Sequence, residues 1–137
     1  MLLTGCQSTV TNTAVKADPN APAEIRDVSV TDAQAAVSKA YSQFVDVRTV
    51  EEYAGGHAAR AINIPLDTLA AKADTLEKNE PVYLICQTGN RSRKAADVLK
   101  AAGFKTIYNV TGGTVAWKEA SLPMENDPPH KVKTEAK

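Results

Sequence analysis

Short apolar runs alternating with amphipathic helical segments predict an α/β fold, a mostly parallel five-stranded sheet with helices on both faces. Two observations carry the prediction. Five apolar runs are each followed by a segment of helical character, which demands crossover connections and therefore parallel strands. One of these runs, Val82-Tyr-Leu-Ile-Cys86, is apolar without interruption, as suits a strand buried on both faces.

The first strand falls at Ile25 to Val30, and Thr31-Asp-Ala-Gln34 has the form of a capping box opening a helix whose apolar stripe is Ala33, Ala36, Val37, Ala40 and Tyr41. Phe44 to Arg48 reads as the second strand. Thr49-Val-Glu-Glu52 is a second capping box, opening a short helix that Gly55-Gly56 ends. Ala61-Ile-Asn-Ile-Pro65 supplies a third strand, and a weakly amphipathic helix follows from Leu66 to Ala73. Pro81 and a polar loop bound the fourth strand, Val82 to Cys86. Ala95, Val98, Leu99 and Ala102 then recur at helical spacing, with Gly103 where a helix cap belongs. Thr106 to Val110 is the fifth strand and Gly113 to Ala120 a short last helix. Residues 24–120 thus form the folded domain, residues 1–23 a signal remnant or flexible tether, and residues 121–137 a disordered tail rich in Pro, Asn, Asp, Lys and Glu.

Composition narrows the function classes. The 137 residues fit one domain, with 43% apolar and 23% charged residues, as in ordinary globular proteins. Sixteen basic and sixteen acidic residues give no net charge, which argues against a nucleic-acid partner and makes any anion site a local one. Two cysteines, Cys6 and Cys86, exclude a disulfide framework, and the distant His57 and His130 imply no metal site. No organic cofactor is implied. Leu3-Thr-Gly-Cys6 resembles a bacterial lipobox, and the Ser, Thr, Asn, Ala and Pro of Gln7 to Pro22 suit a tether. Two readings of Cys6 stand. Lipidation there makes the protein a periplasmic, membrane-anchored lipoprotein. An incidental cysteine in a loose N-terminus leaves a cytoplasmic location open.

The segment with chemistry is Cys86-Gln-Thr-Gly-Asn-Arg-Ser92, between a buried strand and a helix. Ligands of open α/β sheets collect beyond the carboxyl ends of the strands, and here the next helix aims free N–H groups and its positive dipole end at that place. The same field favours thiolate over thiol, making Cys86 a nucleophile. Gly89 lets the loop curl, Arg91 adds a fixed positive charge, and Ser92 adds a hydroxyl donor; Gln87, Thr88 and Asn90 complete the binding loop. A buried structural cysteine is the plainer reading of a lone Cys. A reactive one needs exposure and an electropositive, donor-rich setting, and this loop offers the second.

These motifs resemble the rhodanese family over Ile25 to Ala120. Val45-Asp-Val-Arg48 with Glu51-Glu-Tyr53, Gly56-His57 and Ala61-Ile-Asn-Ile-Pro65 is similar to the family's N-terminal signature. Gly112-Gly113 with Trp117 is similar to its C-terminal one, and Arg91 follows Cys86 by five positions, as in the family's active-site loop. Two departures stand out: Ala59-Arg60 replaces a common Pro-Gly, and Gln87 stands where some thiosulfate-using members carry Arg. The resemblance implies that Cys86 takes the outer sulfur of thiosulfate or a similar anion as a persulfide. Cyanide, a thiol or an acceptor protein then removes it.

Asp46 and Arg48 end a strand that should face the site, so they either brace the loop or form an ion pair that serves the fold. His57 reads as structural, Trp117 as core, and Arg93 with Lys94 as a solvated helix face. Gly112-Gly113 is a weak phosphate-binding signal. Two rivals remain. Related phosphatases and arsenate reductases resemble Cys-x5-Arg, one residue longer than this loop. The other rival is a non-enzymatic sulfur carrier or interaction module.

Overall fold

The structure, a computed structural model, describes residues 23–39 and 42–126. Cys6, Ala40, Tyr41, His130 and the expected tether lie outside the described residues, as does the tail beyond Asn126. The elements follow in the order β1 (Glu24–Val28), α1 (Val30–Lys39), β2 (Gln43–Asp46), α2 (Val50–Ala54), β3 (His57–Ala58), β4 (Ile62–Asn63) and α3 (Leu66–Lys72). A turn of 3-10 helix (Ala73–Thr75) leads on to β5 (Val82–Ile85), α4 (Asn90–Ala101), β6 (Thr106–Val110), α5 (Gly113–Glu119) and β7 (Met124–Glu125).

The main sheet has five strands in the order β1-β6-β5-β2-β4, every pair parallel, as the alternating pattern requires. β5 lies at its centre. Leu84 faces a cluster closed by α3 and α4 (Leu69, Ala95, Leu99), while Ile85 faces one closed by α1 and α5 (Val37, Trp117). Each such side chain, fully buried, contributes roughly 1.5–3 kcal/mol, so the unbroken apolar run is what fixes β5 at the centre. From β2 the chain runs outward to β4 and then crosses back to β5 on the other side of β2. The carboxyl ends of β2 and β5 therefore meet at a topological switch point, where α/β sheets open a crevice.

Local details depart from the sequence reading in several places, and β2 ends at Asp46 instead of Arg48. Helix α1 opens at Val30, capped by Ser29, whose Oγ accepts from Asp32 N–H at 3.1 Å; Thr31 already lies inside the helix. The first strand accordingly stops at Val28. The third predicted strand shrinks to Ile62–Asn63, although Ile64 N–H and Leu66 N–H go on donating to the Asp46 and Val47 carbonyls as the chain leaves it. Arg60 stands in the left-handed region (φ 78°), the conformation that the missing glycine would take without strain. Finally, the chain stays ordered past Ala120: Met124–Glu125 pairs antiparallel with His57–Ala58, and Trp117 Nε1–H donates to the Pro123 carbonyl at 2.7 Å. Backbone pairing and one indole bond make that short strand, with little of the apolar patterning by which strands are recognised.

Candidate active site

Cys86 leaves the carboxyl end of β5, and its chain reverses at Gly89 (φ 107°) into α4. Gly89, at the N-cap of α4, has no side chain to cap it, and the Cys86 sulfur takes that place. Sγ accepts from the Gly89 N–H at 3.1 Å and also from the N–H groups of Ser92 and Thr88. The Cys86 thiol in turn lies 3.4 Å from Ser92 Oγ, to which it donates. Burial pushes the thiol pKa up, but the Ser92 hydroxyl and the N–H groups of Ser92, Gly89 and Thr88 outweigh it and leave the group below its ordinary value. The sequence reading asked for an exposed sulfur; Cys86 is only 1% exposed, because the loop folds over the atom it serves.

The loop is held from behind by α5. Thr114 donates to the Cys86 carbonyl from its N–H (2.8 Å) and its hydroxyl (2.9 Å), and Val115 N–H donates to the Gln87 carbonyl (3.1 Å). Gly113 makes this approach feasible. A Cβ built there would fall 2.5 Å from Gln87 O and 2.6 Å from Cys86 O, and its φ of 59° is left-handed as well. The Gly112-Gly113 pair is thus a close-packing device against the loop.

Charge is handled in pairs. Arg91 was expected to offer a fixed positive charge to the loop; instead its guanidinium makes two bonds to the Glu52 carboxylate, at 2.8 and 3.0 Å. Glu52 also closes the capping box with Thr49. Arg91, against the pull of desolvation, holds the Glu52 carboxyl well down, to about 2. Asp46 and Arg48 form a second pair, both side chains buried, joined by Nη2–Oδ2 at 2.8 Å and Nε–Oδ1 at 3.0 Å. The same guanidinium reaches the Gly56 carbonyl (2.8 Å) and Gln87 Oε1 (3.3 Å), so the pair both serves the fold and touches the loop. Thr88 and Asn90 are exposed and Gln87 is half-buried.

His57 is a packed residue: its ring stacks on Tyr53 at 3.6 Å, Nδ1 contacts the Tyr53 carbonyl at 2.9 Å, and Nε2 lies 3.4 Å from Glu125. Trp117 is fully buried beside Phe44. Arg93 pairs with Asp27 on the surface. Beside the loop, a cleft of ≈440 Å³ opens between α2 and α5, with Gln87, Arg48, Thr114, Val115 and Lys118 among its walls. Thr114, Asn109 and Glu52 as the partner of Arg91 were not singled out from sequence; Gly112-Gly113 was the signal that pointed toward α5.

Fold and site together define a small α/β protein with one cysteine cradled at the foot of a helix, at the switch point of a parallel sheet. The Rhodanese-like domain family matches residues 29–120, and the chain belongs to that family. Thiosulfate sulfurtransferase 18 of Arabidopsis thaliana is 35% identical over 118 residues, 76% of this chain and 86% of that protein. A putative sulfur carrier protein of Bacillus subtilis, YrkF, is 40% identical over 73 residues, 53% of this chain. The chain spans 40% of YrkF's length and 60% of that of another Bacillus subtilis relative, which is 42% identical over 76 residues. Among solved structures, a rhodanese-like domain protein from Staphylococcus aureus superposes with a TM-score of 0.62 at 35% identity, over 67% of this chain and 90% of that one.

Proposed function

We propose that the protein is a sulfurtransferase in which Cys86 carries sulfane sulfur as a persulfide. Its donor is thiosulfate or a similar anion, and its acceptor is cyanide, a thiol or an acceptor protein. The observation that carries this reading is the cradle itself: N–H groups of Thr88, Gly89 and Ser92 converge on one sulfur at the start of α4. In the first step the thiolate attacks the outer sulfur of thiosulfate, an S–S bond forms as the bond to the sulfonate sulfur breaks, and sulfite leaves with that electron pair. The outer sulfur of the persulfide then carries the negative charge. In the second step an acceptor nucleophile bonds to the outer sulfur and Cys86 departs as thiolate. Each step moves negative charge onto a sulfur beside donors that are already oriented, which is how a fixed dipole site lowers a barrier. No general base is required, because the attacking group is already anionic.

The Cys-x4-Arg spacing supports sulfur over phosphate as the carried group. A relative named as a putative sulfur carrier favours a second reading, in which the persulfide is loaded and read by partner proteins instead of small molecules. Incubation with thiosulfate followed by intact-mass measurement tests the shared core of both. One added sulfur, absent in Cys86→Ser, supports the persulfide; turnover of an aryl phosphate with no adduct from thiosulfate would replace it with phosphatase chemistry. Lipidation of Cys6 and a periplasmic location belong to the same proposal at its outer edge; labelling of cells with a radioactive fatty acid reads the first, and cell fractionation the second.

A further inference from the structure

The Ser92 hydroxyl has one proton and two neighbours with a use for it. Oγ lies 3.4 Å from Cys86 Sγ and 2.5 Å from Asn109 Oδ1, and both Ser92 and Asn109 are buried. The other end of the Asn109 amide decides which neighbour receives it. Nδ2 donates to Asp27 Oδ1 at 3.1 Å, and an ionised carboxylate only accepts, so the amide cannot turn over; Oδ1 must face Ser92. The Asn109 amide and then Arg93 hold the Asp27 carboxyl below its ordinary value, which keeps it an acceptor. Oδ1 also only accepts. The Ser92 proton therefore goes to Asn109, and Ser92 turns its lone pairs toward the sulfur, where they receive the thiol S–H.

We propose that Asn109, oriented by Asp27, is a positioning residue that aims the Ser92 hydroxyl away from Cys86 and so sets the balance between thiol and thiolate at the nucleophile. When Cys86 gives up its proton to solvent, Sγ gains from Ser92 only if the O–H rotates off Oδ1, which leaves a buried acceptor without its donor. Ser92 stabilises the thiolate at Asn109's expense. Once an outer sulfur is attached, Sγ has neither proton nor charge and the hydroxyl returns to Asn109. Asn109 thus offsets part of the stabilisation that Ser92 gives the thiolate, and so restrains the bare thiolate, the form most open to oxidation, relative to the thiol and the loaded form. Other charged groups near Cys86 are already neutralised: Arg91 of α4 by Glu52 of α2, and Asp46 at the end of β2 by Arg48. α5 meets the loop with Thr114 and backbone N–H groups.

The inference rests on Cys86 being the reacting group, but its test does not depend on sulfur transfer. Thiolate absorbance in the ultraviolet is followed against pH, with the Cys86→Ser version of each variant subtracted to remove Cys6. Asn109→Leu lowers the Cys86 midpoint by about one pH unit. Ser92→Ala raises it, and the double variant titrates like Ser92→Ala. Asp27→Ala, at an exposed position, lowers the midpoint in the same direction at high salt, where the loss of its surface charge is screened. The proposal is overturned if folded Asn109→Leu leaves the midpoint unchanged or raises it, or if its shift survives removal of the Ser92 hydroxyl. Should Asn109→Leu not fold, an unshifted Asp27→Ala overturns it alone. A missing persulfide alongside this titration pattern would sink the sulfurtransferase reading and leave the Asn109 assignment standing.

Discussion

The turns after β2 and after β5 leave the same edge of the sheet side by side and treat charge in opposite ways. Where β2 ends, Asp46 and, two residues on, Arg48 enter the interior as full charges and are matched to each other, with Arg48 further bonded to Gly56 and Gln87. After β5, the one ionisable group is a thiol, and what meets it is a set of backbone N–H groups and a hydroxyl. The first turn spends its electrostatics on rigidity. The second leaves an anion-stabilising field unmatched by any carboxylate, so that it is available to the Cys86 thiolate. A cation fixed at the sulfur would bind the product anion as firmly as the transition state; dipoles held by a helix stabilise without a counter-ion of their own.

The comparison is most directly broken at the sulfur. Cys86→Ser should abolish persulfide formation in intact-mass measurements while leaving the urea midpoint close to wild type, since the loop donors can bond to a hydroxyl. At the other turn the effect should fall on stability. Asp46→Ala strands the buried Arg48 and should cost about 3–5 kcal/mol in urea unfolding, a loss that also slackens the contact to Gln87. If Asp46→Ala unfolds normally yet loses sulfur transfer, the two turns are not divided as argued.

Gly113→Ala sharpens the boundary between them. Its methyl group collides with the Cys86 and Gln87 carbonyls, so sulfur transfer should fall by about 10²-fold with a stability loss of roughly 1–3 kcal/mol. Steady-state rates and denaturant unfolding on one preparation separate the two. The smallest effect belongs to the exposed pair. Glu52 has a folded pKa of about 2 against an ordinary 4.5, so its contribution is present above pH 4.5 and fades as pH falls from there toward 2. Because both partners are about a third exposed, that contribution should stay within ~1 kcal/mol. Glu52→Gln should flatten the acid limb of a stability-against-pH curve by that amount, and raised salt should shrink the difference.

How much of this was legible beforehand depends on how far apart the cooperating residues lie in the chain. The Cys86–Ser92 loop could be read because nucleophile, turn glycine and helix start are contiguous, and β5 because an unbroken apolar run has one comfortable place in a parallel sheet. The Thr49–Glu52 capping box is equally local and forms as read. What escaped is long-range. Ser92 meets Asn109 across a separation of 17 residues, Thr114 meets Cys86 across 28, and Arg91 meets Glu52 across 39. No periodicity records such pairings. Arg91 shows the consequence, since a basic residue in an anion-binding loop looks free until its partner arrives from another element. Ser29 shows a milder form of the problem, because Ser29-x-x-Asp32 and Thr31-x-x-Gln34 are both plausible helix starts and only packing of Val30 into the α1 face chooses between them.

The depth of Cys86 Sγ carries one more consequence, for the regiochemistry of discharge. A persulfide has two electrophilic sulfurs, and a thiol that struck the inner one would expel hydrosulfide and leave a mixed disulfide on the protein. Attack at sulfur runs along the axis of the bond being broken, and for the inner atom that path starts within the packed interior, where Cys86 sits in one cluster with Leu84, Ala95 and Ala96. In the proposed persulfide, attack would be left to the outer sulfur. In the proposed reaction the fold would therefore select the productive exchange and return Cys86 as the free thiolate without a separate reductant.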